Sequence, residues 1–118
     1  MSKHVTYDAI GKHINAINRI HSDSWGGGFW YDSYCLEVDQ YLSDNDDFLI
    51  VFAAGNNGQE GYGSILSPGL SKNAVAVAAS YSSSQIDDIA YFSSVGPAPD
   101  GRNKPVRPLR ALFFFRFA

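Results

Sequence analysis

Two uninterrupted apolar runs dominate the hydrophobic pattern, at residues 48–54 (FLIVFAA) and 74–80 (AVAVAAS). Neither run alternates apolar with polar residues, which is typical of strands buried on both faces of a parallel sheet. A shorter strand is predicted within residues 18–25, where Ile20 is flanked by polar residues, and it should end at Gly26. The chain is therefore expected to contain a sheet of mostly buried strands.

Helical periodicity appears on either side of the short strand. Residues 32–42 are predicted to form a helix because their apolar positions share one face: Tyr34, Val38, Tyr41 and Leu42. An earlier amphipathic helix is predicted over residues 6–17 in the same way. Strand, helix and strand follow one another within about 35 residues, which indicates a right-handed βαβ unit. The predicted class is α/β, with a parallel sheet and flanking helices.

The composition fits one globular domain of 118 residues, with 45% hydrophobic and 18% charged residues. Its net charge of -3 conceals an asymmetry, because five of the nine Lys and Arg residues follow Gly101 while all twelve acids precede it. The preceding part thus holds four basic residues against twelve acidic ones, a net charge of -8. This sign argues against a nucleic-acid partner.

Other classes of site and location are also disfavoured by the sequence. Cys35 is the only cysteine, so neither an internal disulfide nor a cysteine-based zinc site is expected, and we predict a packing role for it. Residues 1–20 lack the continuous apolar segment of a signal peptide. The apolar end of the chain is shorter than the ~20 residues of a membrane span and contains arginines. No membrane segment is predicted.

The first long apolar run ends in Gly55, Asn56, Asn57 and Gly58. Ligands of parallel α/β sheets bind outside the carboxyl ends of the strands, where this segment lies. Glycine allows close backbone approach, and an Asn amide can donate a hydrogen bond to an anionic oxygen. On position alone, however, an ordinary turn is the favoured interpretation. A dinucleotide site is disfavoured, because the glycine spacing is not G-x-G-x-x-G.

Wider context changes this interpretation. Five segments occur in this order: RIHSDSWG, FLIVFAAGNNG, SILSPGLSKNAVAVAAS, IAYFSSVGP and DGRNKP. Together they resemble the catalytic domain of the subtilisin-like serine proteases, the subtilase family (peptidase family S8), from Arg19 to Pro105. The resemblance implies a subtilisin-like three-layer α/β fold, incomplete in this chain, and a serine endopeptidase acting on polypeptide substrates. It implies no cofactor apart from calcium, which complete family domains can bind and for which this sequence offers no assignable site. Family members are often secreted or membrane-associated, and the sequence does not fix the compartment.

The same resemblance assigns roles to residues at two strand ends. The family's oxyanion-hole asparagine directly follows Ala-Ala-Gly, a position held here by Asn56, whereas Asn57 is interpreted as a turn residue. Ser24, Trp25 and Gly26 match the Ser-x-Gly segment that pairs with the substrate backbone and lines the pocket for the residue before the cut. Ser-Trp-Gly is also similar to the kexin-like branch. Gly55 is expected to form another wall of this pocket. The alternative for residues 24–26 is a strand end with an aromatic ring packed beneath a loop.

The catalytic triad has no assignable member in this sequence. His4, His13 and His21 lack the family's H-G-T-H surroundings, no Asp lies in D-T-G or D-S-G, and no G-T-S segment is present. His21, Ser93 and Ser94 are interpreted as structural residues.

We therefore interpret residues 1–105 as a central part of a catalytic domain. Residues 106–118 are interpreted as an unstructured or artefactual tail that resembles nothing in the family, as an altered reading frame would produce. The chain by itself is predicted to be inactive. The alternative is a non-catalytic truncated subtilase relic that at most binds peptides or partners. A natural short paralogue is an alternative origin for the unusual end of the chain.

Overall fold

The computed structural model describes residues 19–81 and 88–105. These residues form a parallel sheet of three strands in the order β1 (Ile20–Asp23), β2 (Leu49–Ala53) and β3 (Val75–Val77). Helix α1 (Ser33–Asp44) connects β1 to β2, and a short 3-10 turn (Gly58–Glu60) follows β2. The predicted α/β class and parallel βαβ unit are confirmed. The predicted helix over residues 6–17 and the tail after residue 105 lie outside the described residues.

The strand register determines which loops meet. Asp23 of β1 lies opposite Phe52 of β2, and Ala53 of β2 lies opposite Val77 of β3. Because all three strands run in the same direction, their carboxyl ends share one edge of the sheet. The segments that follow β1 and β2 are thereby brought side by side.

The main core lies between α1 and one face of the sheet. Its members are the buried apolar residues of the helix, of β2 and of the segments that lead into the strands: Val38, Tyr41, Leu42, Phe48, Ile50, Phe52 and Ala74. Ile50 and Phe52 are completely buried, whereas Leu49, on the opposite face of β2, is 38% exposed. Within the described residues, only the helix-facing side of β2 is therefore fully covered.

Helix α1 begins at a polar cap that also reaches the rest of the molecule. The Asp32 Oδ1 atom accepts hydrogen bonds from the backbone N–H groups of Tyr34 (3.1 Å) and Cys35 (3.3 Å). Such a cap satisfies donors that have no partner inside the helix. The same carboxylate accepts a 2.5 Å hydrogen bond from the Ser67 hydroxyl. Cys35 is buried, as expected for a packing residue, and burial raises the pKa of its thiol.

A second carboxylate of α1 organises the loop that enters β3. Asp39 is buried and accepts hydrogen bonds from the backbone N–H groups of Lys72 (2.9 Å) and Asn73 (2.7 Å). It also accepts one from the Tyr31 hydroxyl at 2.6 Å. Burial and this hydrogen bond to the carboxylate raise the pKa of Tyr31. A buried carboxylate costs free energy unless it is well hydrogen-bonded, and these donors offset that cost.

The Lys104 ammonium is buried in a cage of backbone carbonyl groups. Its Nζ donates to the carbonyl oxygens of Gly69 (3.0 Å), Ala74 (2.9 Å) and Ser71. Burial lowers the pKa of Lys104 to about 8, while the three carbonyl acceptors favour its charged form. This basic residue of the DGRNKP segment thus joins the end of the described chain to the loop before β3.

Lys104→Met should destabilise the protein by about 3 kcal/mol, because the buried carbonyl oxygens of residues 69, 71 and 74 lose their shared donor. Denaturant unfolding of the 118-residue chain measures this change in the free energy of unfolding. Lys72→Met is the matched control: the Lys72 side chain is 55% exposed and lies 3.8 Å from Asp39, so its loss should cost ~1 kcal/mol or less. Equal losses from the two variants would contradict the structural role of the cage.

Candidate active site

The loop after β2 is held in place by backbone hydrogen bonds on two sides. The Ala54 N–H donates to the Val77 carbonyl oxygen at 2.9 Å, continuing the pairing with β3. On the other side, Ser94 N–H donates to the Gly55 carbonyl oxygen at 2.9 Å, and Gly58 N–H donates to that of Phe92 at 2.9 Å. The loop is therefore fixed although it lies outside any strand.

The two asparagines of this loop have different environments. Asn56 is exposed, and its side chain forms no hydrogen bond with residues 19–81 or 88–105. Asn57 is half-buried; its N–H donates to the Ser94 hydroxyl oxygen at 3.0 Å, and its carbonyl oxygen accepts from Glu60 N–H at 3.0 Å. The Asn56 amide is thus exposed to solvent, while the backbone of Asn57 forms the turn and its side chain is less exposed.

Residues 66 and 67 bridge the carboxyl ends of β1 and β2. The Leu66 N–H donates to the Ala54 carbonyl oxygen at 3.0 Å. Ser67 pairs with the other strand end, because its carbonyl oxygen accepts from Gly27 N–H (2.9 Å) and its N–H donates to the Gly28 carbonyl oxygen (3.0 Å). The segments that carry the predicted substrate-binding residues are thereby joined through one short stretch of chain.

Gly26 and Gly55 both pack against the Leu66 side chain. A methyl group on Gly26 would lie 2.9 Å from Leu66 Cβ, and one on Gly55 would lie 2.8 Å from Leu66 Cγ. Gly55 also has a φ of +119°, a conformation that side chains disfavour. The structure thus brings these two predicted residues together. Leu66 was not singled out by sequence reasoning, because a leucine between two loops carries no motif of its own.

Trp25 contributes to the core as well as to the surface. Its ring meets those of Tyr34 and Phe52 edge to face, with centroid distances of 5.9 and 6.1 Å, and the residue is 37% exposed. These contacts support the packing interpretation for the Trp25 ring. A contribution of residues 24–26 to substrate binding stays a prediction, with the exposed Ser24 and Gly26 beside it.

Ser93 and Ser94, which sequence inspection could mistake for catalytic nucleophiles, are hydrogen-bonded to backbone groups. Ser93 and Ser94 are buried, and their hydroxyl oxygens accept hydrogen bonds from the N–H groups of Ala79 and Asn57 at 3.0 Å each. His21 pairs with Asp23 on the same strand, with 2.9 Å between Nε2 and Oδ2. These contacts support the structural interpretation of the three residues. His4 and His13 lie outside the described residues.

Residues 19–81 and 88–105 contain neither a metal-binding cluster nor a membrane-spanning helix. No cluster of three or more His, Cys, Asp or Glu side chains there could hold a metal ion. No helix of that part is long and apolar enough to cross a membrane. The expectation about cofactors stays a prediction.

Comparison with known proteins now identifies the family. The model of the subtilase family matches residues 1–106. The chain belongs to the subtilase family. It therefore carries part of a serine protease domain, as the ordered segments predicted.

Two relatives extend this finding. The chain is 41% identical over 71 residues to the serine protease/ABC transporter B family protein tagD of Dictyostelium discoideum. That match covers 55% of the chain and 4% of the relative. The solved structure of the prenylagaramide maturation protease PagA shares its fold, with a TM-score of 0.65 and 22% identity, over 87% of this chain and 36% of that protein. The chain thus spans only a small part of each relative.

Gly55→Ala should destabilise the protein by about 3 kcal/mol or more, since it combines an unfavourable φ with clashes against the Ser94 hydroxyl (2.7 Å) and Leu66 (2.8 Å). Gly63→Ala is the matched control. Gly63 also has a positive φ, of +79°, but no atom lies within 4 Å of the added methyl group, so only the conformational cost of ~1–2 kcal/mol applies. Denaturant unfolding compares the free energies of unfolding of the two variants. A loss for Gly63→Ala as large as that for Gly55→Ala would contradict the close packing around Gly55.

Proposed function

We propose that this chain forms the substrate-binding centre of a subtilisin-like serine endopeptidase domain, which hydrolyses peptide bonds in the complete protein. Asn56 is assigned as the oxyanion-hole donor. One observation carries the proposal: an exposed amide without a partner among the described residues stands on a rigidly held loop at the carboxyl end of β2.

The chemical argument concerns the charge that develops during peptide hydrolysis. Nucleophilic attack places negative charge on the carbonyl oxygen, so a donor aimed at that position stabilises the transition state more than the substrate. The donor is most effective when it need not reorganise. Hydrogen bonds at Ala54, Gly55, Asn57 and Gly58 keep the backbone around Asn56 in one conformation, which supports this role.

The partner is a polypeptide in extended conformation. Residues 24–26 follow β1 directly, so their backbone can extend the sheet edge to a substrate strand, with main-chain hydrogen bonds supplying affinity. Gly26 and Gly55 then line the space beside the residue that precedes the cut. Their shared proximity to Leu66 supports this assignment because both glycines flank the same side chain.

The chain by itself is proposed to be inactive. No residue of the sequence occupies a family triad motif, and Ser93 and Ser94 are buried and hydrogen-bonded to backbone N–H groups. The same observation favours a second candidate, a non-catalytic subtilase relic that at most binds peptides or partners. The two candidates differ in whether a domain completed with triad-bearing segments turns over substrate.

Asn56→Ala in such a completed domain should lower kcat by roughly 100- to 1,000-fold with little change in KM, the size of effect known for the equivalent donor of subtilisin. The reason is that the amide acts on the developing oxyanion and not on the bound substrate. Steady-state kinetics with a chromogenic peptide provides the measurement. Asn57→Ala is the control and should leave kcat nearly unchanged while altering stability by ~1 kcal/mol or less. Similar losses of kcat from both variants would overturn the assignment.

The purified 118-residue chain should neither hydrolyse peptides nor react with a fluorophosphonate probe. Both results are expected because the chain has no assignable nucleophile to attack the peptide and no assignable base to accept the proton. A site without its triad retains only weak catalysis. Mass spectrometry of the probe-treated chain and a peptide-cleavage assay test this. Turnover that the probe abolishes would refute the proposed inactivity.

A further inference from the structure

Asn57 and Gly58 form the one Asn-Gly pair in the sequence. The backbone nitrogen that follows an asparagine can attack the carbon of the side-chain amide, and the lack of a Cβ on glycine leaves that approach unhindered. Every other asparagine precedes a residue that carries a side chain: Asn15, Asn18, Asn45, Asn56, Asn73 and Asn103. In an unfolded chain, Asn57 is therefore expected to deamidate faster than the others.

The packing of the loop requires the glycine of this pair. A methyl group added to Gly58 would lie against the Ser93 carbonyl oxygen and 2.6 Å from that of Tyr91. Both atoms belong to the backbone, so neither can move aside as the end of a flexible side chain would. Gly58 N–H also donates to the Phe92 carbonyl oxygen at 2.9 Å. The residue that makes Asn57 reactive is thus fixed by its contacts with residues 91–93.

The folded backbone holds the reacting atoms apart. Asn57 has a ψ of 29°, and tetrahedral geometry at Cα then places the Gly58 nitrogen nearly opposite the Asn57 Cβ across the Cα–C bond. Attack on the side-chain amide requires that nitrogen on the same side as Cβ. Turning the bond would withdraw Gly58 N–H from the Phe92 carbonyl oxygen and move Gly58 from its tight surroundings. The observed loop conformation therefore blocks the reaction.

This protection comes from the backbone and not from the Asn57 side chain. The side chain does not cap the 3-10 turn, and it forms no hydrogen bond with residues 19–81 or 88–105. The Asn57 N–H, in contrast, donates to the Ser94 hydroxyl oxygen at 3.0 Å, and its carbonyl oxygen accepts from Glu60 N–H at 3.0 Å. Once these backbone bonds open, nothing among the described residues restrains the amide.

We propose that Asn57 is a latent deamidation site, protected by the folded loop and made reactive by its local opening. In the open loop, the Gly58 nitrogen loses its proton and attacks Asn57 Cγ, the side-chain nitrogen leaves as ammonia, and a succinimide forms. Water then opens the ring. Cleavage between the ring nitrogen and Cγ gives aspartate, and cleavage between that nitrogen and the backbone carbonyl carbon gives isoaspartate. In both cases one amide and one water become one carboxylate and one ammonium ion.

The products change the loop in two ways. Both place a carboxylate on the residue that follows Asn56. Isoaspartate also lengthens the backbone by one carbon atom between residues 57 and 58, so the turn cannot recover all its observed hydrogen bonds. The site is independent of the proposed function, because neither Asn56 nor a substrate takes part in the reaction.

Deamidation of the 118-residue chain in folding buffer and in guanidinium chloride tests the proposal. Both samples are kept at the same mildly alkaline pH, and tandem mass spectrometry follows the conversion of amide to acid at each asparagine. In denaturant, Asn57 should react faster than Asn45, Asn56 and Asn73. In folding buffer its rate should fall at least about tenfold, since only molecules with an open loop can react.

Ser94→Ala tests whether the opening is local. Because Ser94 Oγ accepts the Asn57 N–H, the variant should raise the Asn57 rate in folding buffer about fivefold, the equilibrium effect of one hydrogen bond. The rate in denaturant should not change. Ser71→Ala is the matched control, because the Ser71 hydroxyl is also buried but bonds to the Pro68 carbonyl oxygen and not to this loop. It should leave the Asn57 rate nearly unchanged.

Three results would overturn the proposal. Equal Asn57 rates in folding buffer and in denaturant would contradict the protection, and faster reaction of another asparagine in denaturant would contradict the site. Equal acceleration by Ser94→Ala and Ser71→Ala would assign the exposure to global unfolding instead of loop opening. If Ser94→Ala loses its dispersed amide NMR spectrum, Ser94→Cys, a weaker acceptor of similar shape, carries the same comparison.

Discussion

The bridge formed by residues 66 and 67 is the interaction on which the site depends. Parallel pairing alone places the ends of β1 and β2 at one edge of the sheet, but it does not determine how the following loops continue. Leu66 N–H bonds to Ala54, and Ser67 bonds to Gly27 and Gly28, so each loop is held where it leaves its strand. The bridge thereby couples the segment bearing Gly26 to the strand end that leads into Asn56.

The bridge is itself supported from the helix and from a buried cation. Asp32 caps α1 and accepts the Ser67 hydroxyl, so helix and bridge share one carboxylate. After the bridge, the carbonyl oxygens of Gly69, Ser71 and Ala74 converge on Lys104. In this part of the chain, polar side chains satisfy backbone groups that a strand or helix would otherwise satisfy. Charged side chains therefore have mainly architectural roles around the site.

The two asparagines differ in hydrogen bonding and exposure because of this architecture. Asn57 meets the Ser94 hydroxyl and the 3-10 turn, and these contacts consume its backbone groups. Asn56 is left with an exposed amide on a fixed backbone. This arrangement supports the oxyanion-hole role proposed for Asn56, because a donor that need not reorganise stabilises a developing anion most effectively.

Much of the fold was accessible from local sequence. Unbroken apolar runs predicted β2 and β3, and helical spacing predicted α1, because strand and helix periodicities depend on residues close in sequence. In the structure, the strand predicted over residues 74–80 covers only Val75–Val77, and Leu49 of β2 is partly exposed. Those details depend on which neighbours cover each residue, and periodicity does not contain that information.

The sequence by itself indicated the family through ordered segments, and that resemblance, rather than position after a strand, pointed to Asn56 and Gly55. Only the tertiary structure decided that Leu66 stands against both Gly26 and Gly55, that Trp25 also packs on Phe52, and that Lys104 is buried. The physical reason is separation along the chain. These contacts join residues about 10 to 40 positions apart, so they arise from the pairing of strands and loops and leave no local pattern for sequence analysis to detect.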